Sequence, residues 1–285
     1  MKFWLMAPWV NPEDMIELAV KAEEVGFEGI MGADHGFIPQ SMHASYPYTK
    51  DGKPPINGEL AYPEVWTTIA AMAAVTKTIK FSCGVYVLPL RNPIEVAKAT
   101  GTIARISDNR LVLGAGVGWM PEEFEVYGVD FKTRGKRMNE CIEVLRLLWS
   151  GGYAEYRGEF FNFDPLQIAP APTQAVPIYL GGVSKPALRR AGKYAQGWMG
   201  NGNVASEMPA VFEHIKASRE ANNRASEPFD MILAMKDQTS PEQMQAYSEQ
   251  GATGSFLGFP DHTASLKEKL NLLDAFGGYI QKASR

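Results

Sequence analysis

The 285-residue chain is poor in cysteine and has no concentrated charge. Its two cysteines, Cys83 and Cys141, stand far apart in apolar surroundings, which excludes a disulfide framework and suits a reducing compartment. The formal net charge is −4 with no lysine- or arginine-rich run, so nucleic acid and membrane are not expected as partners. No apolar run approaches the roughly 18 residues needed to span a bilayer. Residues 1–10 are too few, and too soon followed by Glu13 and Asp14, to make a signal peptide; the cytoplasm is the expected compartment. The four histidines (His35, His43, His214 and His262) form no His-x-His or His-x₃-His pair of the kind that metal-dependent barrel hydrolases use, so no metal is expected. No Gly-x-Ser-x-Gly elbow offers a hydrolase nucleophile.

What is present is a large apolar fraction, 45% against 21% charged residues, in a chain long enough for one barrel of roughly 250 residues. Strand-like and helix-like segments alternate from end to end. Residues 3–7 are short and apolar. Asn11-Pro12-Glu13-Asp14 then offers a cap, a proline at the first helical position and acids for the positive end of the dipole. Met15, Leu18, Ala19, Ala22 and Val25 give that helix one apolar face, and Gly26 ends it. Further strands are expected at 27–33, 80–87, 110–115, 177–180, 197–200, 229–235 and 255–259. The helices between them cover 63–75, a stretch from Asn92, one from about Thr133, one from Ser184, residues 208–222, one capped by Ser240, and a last one from about Thr263. Eight βα units without a break in composition predict an α/β fold, a (β/α)₈ TIM barrel forming one domain over residues 1–285. A doubly wound sheet with a smaller second domain is the alternative.

Three stretches exceed a minimal unit. Residues 35–60 and 116–132 follow the second and fourth strands, at the face where barrel enzymes keep their sites, and insertions there are expected to be functional. Residues 153–164 alternate around Gly158 like a hairpin.

Four motifs sit at strand ends. Asp34-His35 closes the second strand; a histidine there either moves a proton or packs while Asp34 shapes the loop. Gly84 in Cys83-Gly84-Val85 marks either the close approach of a ligand or room for neighbours. The loop Gly114-Ala115-Gly116-Val117-Gly118-Trp119 is not a dinucleotide fingerprint, since its third glycine comes early and no helix follows at once. It admits a flat aromatic cofactor beside Trp119, or is a flexible turn. Gly181-Gly182-Val183-Ser184, between a strand and a helix, offers free amides and a hydroxyl to a phosphate, or is a plain serine cap.

The residues Ala33-Asp34-His35, Tyr46-Pro47-Tyr48-Thr49, Gly84-Val85, Leu88-Pro89-Leu90-Arg91-Asn92-Pro93, Gly116-Val117-Gly118-Trp119, Glu122-Glu123-Phe124, Arg134-Gly135, Gly158-Glu159-Phe160-Phe161, Gly181-Gly182-Val183-Ser184 and Gly197-Trp198 follow one another in order. Over residues 28–200 this series resembles the bacterial luciferase-like monooxygenase superfamily, and within it the coenzyme F-420-dependent oxidoreductases. The resemblance implies a flavin or deazaflavin ring at the C-terminal mouth. It also implies a non-prolyl cis peptide at Gly84–Val85 or, failing that, Cys83–Gly84. Catalytic roles fall to His35, oriented by Asp34. Cofactor contacts fall to Met6, Asp34, Gly84, Val85, Gly116, Gly118, Trp119, Gly181, Gly182, Ser184 and Trp198.

The chain departs from the family at Gln196, where an acid commonly precedes Gly197-Trp198. It departs again at Trp119, where deazaflavin-dependent sugar oxidisers carry a glutamate. The function implied is hydride transfer between the cofactor, coenzyme F-420 first and FMN second, and a small organic substrate. An FMN-dependent monooxygenase using O₂, a non-catalytic flavin-binding barrel, and a cofactor-free isomerase or lyase are the alternatives. Self-association into a homodimer is left open.

Overall fold

A computed structural model describes residues 1–235 and 241–283. The first strand, β1 (Lys2–Met6), alternates: Phe3 and Leu5 point outward to the helices, while Trp4 and Met6 point into the barrel. Helix α1 (Pro12–Glu24) buries Met15, Leu18, Ala19 and Ala22, as the spacing predicts. Asn11 occupies the cap position, but its side chain makes no capping hydrogen bond, which corrects that expectation. Strand β2 (Gly29–Gly32) leads through the long loop to α2 (Val65–Val75), capped by Glu64, whose carboxylate accepts from the Thr67 amide.

The third barrel strand is split into β3 (Lys80–Cys83) and β4 (Tyr86–Val87), with Gly84–Val85 between them. Asn92 caps α3 (Pro93–Ile106) by accepting from Ile94 N–H. Strand β5 (Leu113–Gly116) is followed by α4 (Pro121–Val126), a short helix inside the stretch 116–132 read from sequence as loop. Its six residues are too few to show a periodic face. Helix α5 (Arg134–Trp149) and the antiparallel hairpin β6 (Ala154–Arg157) and β7 (Asn162–Leu166) come next, and the hairpin turns at Gly158 as expected. The chain ends with β8 (Ile178–Gly181), α6 (Lys185–Tyr194), β9 (Gly197–Met199), α7 (Met208–Ala221), β10 (Asp230–Leu233), α8 (Pro241–Glu249), β11 (Gly254–Gly258) and α9 (Leu266–Ala283). The cap expected of Ser240 lies outside the described residues.

All barrel strands are parallel, in the order β3-β2-β1-β11-β10-β9-β8-β5-β4. A bridge between Phe81 in β3 and Leu111 just before β5 joins the two ends, with Phe81 N–H donating to Arg110 O and Val112 N–H to Phe81 O. The fold is therefore a (β/α)₈ barrel of TIM type, with its third strand in two pieces.

Two main cores and a small cluster of Val87, Leu90 and Phe124 hold the described residues together. The outer one lies between strands and helices. The inner one is Trp4, Met31, Val112, Tyr179, Met199 and Ile232, with Met6, Val85 and Phe256 packed on it. Each such large side chain contributes about 1.5–3 kcal/mol on burial. Below them Asp230 accepts from the Tyr179 hydroxyl and pairs with Lys2 at 2.9 Å, so the N-terminal end of the barrel is filled. The loops that follow the strands gather at the opposite end.

Candidate active site at the barrel mouth

The centre of the mouth is built from glycines around three apolar side chains. The peptide bond Gly84–Val85 is cis, the first of the two bonds expected. A β-carbon on Gly84 would stand 2.6 Å from Met6 Cε and 2.9 Å from Met31 Sδ. Val85 is flanked by two glycines in the same way: a β-carbon on Gly116 would stand 2.4 Å from Val85 Cγ2, and one on Gly181 3.0 Å from Val85 Cγ1. Strands β3/β4, β5 and β8 thus converge on Val85 because two of them lack side chains there. Gly118 has a different duty. Its φ of +83° turns the chain back, and Phe124 and Val87 fill the space a side chain would need, which brings Trp119 to the rim and starts α4.

His35 follows β2 and is held by α4, not by its neighbour in sequence. His35 Nδ1 lies 2.9 Å from Glu123 Oε2, and Glu123 Oε1 accepts from Gly36 N–H at 2.9 Å. The His35 side chain is 10% exposed and the Glu123 side chain 1%, so this pair is almost wholly withdrawn from water. Asp34 does not orient His35, which corrects that expectation. Its carboxylate accepts from Val87 N–H at 2.9 Å and pairs with Arg91 at 3.0 Å, tying β2 to β4 beneath the mouth. Burial pushes the Asp34 carboxyl upward, against the pull of Arg91 and the Val87 amide. The Arg91 guanidinium also lies over the rings of Tyr86 and Tyr127, each 5.2 Å away. Sequence reasoning assigned no role to Glu123 or Arg91. An acid in the first turn of a helix after proline reads as a dipole partner, and that reading hides its partner 88 residues away.

Around the rim runs an arc of rings, each in contact with the next. His262 meets Trp9 at 5.2 Å between centroids, and the Trp9 indole N–H donates to Tyr62 OH at 2.5 Å. Tyr62 meets His35 at 5.2 Å, His35 meets Trp119 at 5.8 Å, Trp119 meets Tyr46 at 4.9 Å, and Tyr46 meets Tyr48 at 5.3 Å. These rings belong to the loops after β11, β1, β2 and β5. The long loop after β2 is pinned again to α4: Glu122 accepts from His43 N–H at 2.6 Å and Ala44 N–H at 3.3 Å. Asn201, just beyond β9, lies near Tyr46 and Tyr48, so the loop reaches towards the strand opposite β2.

Facing the arc is the turn after β8. Gly182 has φ +104°, and exposed Ser184 caps α6, its hydroxyl accepting from Ala187 N–H at 3.4 Å. Trp198 does not reach the mouth. It is fully buried among the outer helices, and its indole N–H donates to Gly182 O at 2.9 Å, so it steadies the turn from behind. The structure therefore brings together Met6, His35, Gly84, Val85, Gly116, Trp119, Gly181, Gly182 and Ser184, and removes Trp198 and Gly118 from direct contact.

Residues 1–275 match the luciferase-like monooxygenase family. The chain belongs to that family. An uncharacterised protein of Mycobacterium tuberculosis is 36% identical over 268 residues, covering 92% of each chain. The F420-dependent glucose-6-phosphate dehydrogenase of Amycolatopsis mediterranei is 28% identical over 236 residues, covering 79% of this chain and 65% of that one. Among solved structures, an F420-dependent secondary alcohol dehydrogenase in complex with an F420–acetone adduct shares the fold. Its TM-score is 0.76 at 17% identity, over 96% of this chain and 97% of that one. No described helix of this luciferase-like protein is long and apolar enough to cross a membrane.

Proposed function

We propose that this family member is a coenzyme F-420-dependent oxidoreductase that interconverts a small carbonyl compound and its alcohol. The observation that carries the reading is the glycine-lined platform of Met6, Met31 and Val85 beside the buried His35–Glu123 pair. The residues fit a flat, tricyclic, phosphate-bearing group. The missing side chains at Gly84, Gly116 and Gly181 let Met6, Met31 and Val85 close up into an apolar platform on which a broad ring can lie, and the amides at the start of α6 stand with Ser184 at the rim for an anion.

When bound, the cofactor supplies or takes the hydride at the substrate carbon. The protein does the rest. Met6 and Val85 support one face of the site, Trp119 and Tyr46 border it, and the turn of residues 181–184 holds the anionic tail. His35 moves the balancing proton at the substrate oxygen. Its Nδ1 is engaged by Glu123, which leaves Nε2 for that exchange, so carbonyl plus hydride plus one proton from Nε2 gives the alcohol, and the reverse path returns the proton to Nε2. Glu123, with no substrate contact of its own, is a positioning residue that selects the tautomer.

Titration of the purified protein with coenzyme F-420 and, separately, with FMN, followed by quenching of each cofactor's fluorescence, tests the reading. Saturable binding of the deazaflavin, tighter than FMN, is expected. Tighter FMN binding replaces the proposal with a flavin monooxygenase or reductase, and no binding of either removes the redox reading.

A further inference from the structure

We infer that the mouth selects an uncharged substrate with a hydrocarbon ring, a cyclic or aryl ketone or the matching alcohol, clasped by the aromatic arc, and rejects phosphorylated sugars. This inference rests on the reading of the mouth as the reaction site and adds the substrate class to it.

Three observations converge. The first is continuity. Trp9, Tyr62, Trp119 and Tyr46 come from three separate loops yet connect through His35, Trp9 by a hydrogen bond to Tyr62 and the others edge to face, which makes a curved wall rather than isolated rings. Aromatic walls of this kind reward a partner with its own extended hydrocarbon surface.

The second is that the wall is mostly ring surface. The Trp9 indole N–H is spent on the Tyr62 hydroxyl, so ring faces and edges make up most of what a ligand meets there. His35, at the middle of the arc, stands beside them to meet a substrate oxygen.

The third is charge. The cations at the base of the arc are spoken for, His35 by Glu123 and Arg91 by Asp34, while Glu122 accepts from two loop amides through Oε1 and keeps a buried, unpartnered Oε2. A phosphate pressed against this wall would give up its water and meet two buried carboxylates whose cations are already taken, which is costly. The anion-binding features of the mouth lie at the turn of residues 181–184 on the facing side, where the cofactor reading assigns them to the cofactor.

The test is calorimetric titration of the wild-type protein, alone and loaded with coenzyme F-420, with cyclohexanol, 2-propanol and glucose 6-phosphate. Cyclohexanol is expected to bind about tenfold or more tighter than 2-propanol, because it covers more of the wall. Glucose 6-phosphate is expected to give no binding heat at concentrations where cyclohexanol saturates. Trp119→Ala and Tyr46→Ala should each weaken cyclohexanol by about tenfold, and Trp119→Phe should restore most of the loss. Should either alanine variant fold poorly, the wild-type panel and Trp119→Phe still decide.

Equal affinity for cyclohexanol and 2-propanol, absence of cyclohexanol binding, or glucose 6-phosphate binding as tightly as cyclohexanol each overturns the inference. Cofactor binding is read on the same samples from the cofactor's own absorbance. Cofactor bound with no preference for the ring sinks this inference alone, and ring preference without cofactor binding sinks the hydride reading alone.

Discussion

Replacing Glu123 with glutamine should slow both directions of the reaction by stabilising the wrong tautomer of His35. The carboxylate accepts twice, from His35 Nδ1 and from Gly36 N–H, both at 2.9 Å, with its side chain 1% exposed. Glutamine keeps the shape and can still accept from Gly36 through its carbonyl oxygen. Its amide N–H₂ then faces His35, so Nδ1 becomes the acceptor and the ring proton moves to Nε2. A neutral histidine whose one proton sits on Nε2 cannot take a proton from an alcohol, and giving that proton to a carbonyl oxygen would leave an imidazolate. Alcohol oxidation and ketone reduction should therefore fall together, by about 10²–10⁴-fold. Glu123→Ala is the structural control. It leaves His35 Nδ1 and Gly36 N–H unpaired and buried, at about 1–3 kcal/mol each, and should lower stability and both directions together. The assay is stopped-flow absorbance of the deazaflavin, run from the oxidised and the reduced side at saturating cofactor. Near-wild-type rates in both directions for Glu123→Gln would refute the tautomer argument.

Three further outcomes follow from the geometry. Gly84→Leu should drive Met6 and Met31 from their places, cost about 1–3 kcal/mol of stability by overpacking, and reduce cofactor affinity more than tenfold, as read by fluorescence titration beside urea unfolding. Ser184→Ala should weaken cofactor binding by about 1–2 kcal/mol and cost about 1 kcal/mol of stability through the lost cap; unchanged affinity at matched salt would place the phosphate elsewhere on the mouth. Glu23 supplies a pH signature. Burial opposes its charge, but the N–H groups of Thr78, Ile79 and Lys77 outweigh that and hold its pKa at about 2, below the ordinary 4.5. Its contribution is thus fully present above pH 4.5 and is lost as pH falls towards 2. Glu23→Gln should lower stability at pH 7 by about 1–2 kcal/mol after allowance for solvent screening, and the difference from wild type should close near pH 2 in urea unfolding.

Local patterns carried the fold well. The 3.6-residue spacing from Met15 to Ala22 marked the buried face of α1, and the proline–acid starts at Pro12 and Pro93 marked where α1 and α3 begin. The alternation around Gly158 located the hairpin β6–β7. Where reading from sequence failed, the cause was distance along the chain. Helix α4 is too short for periodicity, and its Glu123 looks like an N-terminal acid until the loop after β5 brings it to His35. Asp34 adjoins His35 in sequence, but Arg91 and Val87 N–H turn its carboxylate the other way. Trp198 has its motif in place, yet a strand sends alternate side chains to opposite faces, and Gly197 and Met199 take the inner one. The arc of rings draws on loops after four strands, and no local pattern reports that.

The central claim, that His35 moves the proton that balances hydride transfer at this mouth, meets its most direct test in a single-turnover comparison. Wild type and His35→Asn are loaded with reduced coenzyme F-420 and mixed with cyclohexanone, and the return of oxidised deazaflavin absorbance is timed. Asparagine keeps part of the bulk and a hydrogen bond towards Glu123 but cannot relay a proton. The expected result is turnover in the wild type and a rate lower by about 10²–10⁴-fold in His35→Asn at near-equal cofactor affinity. Equal rates in the two proteins would contradict the account.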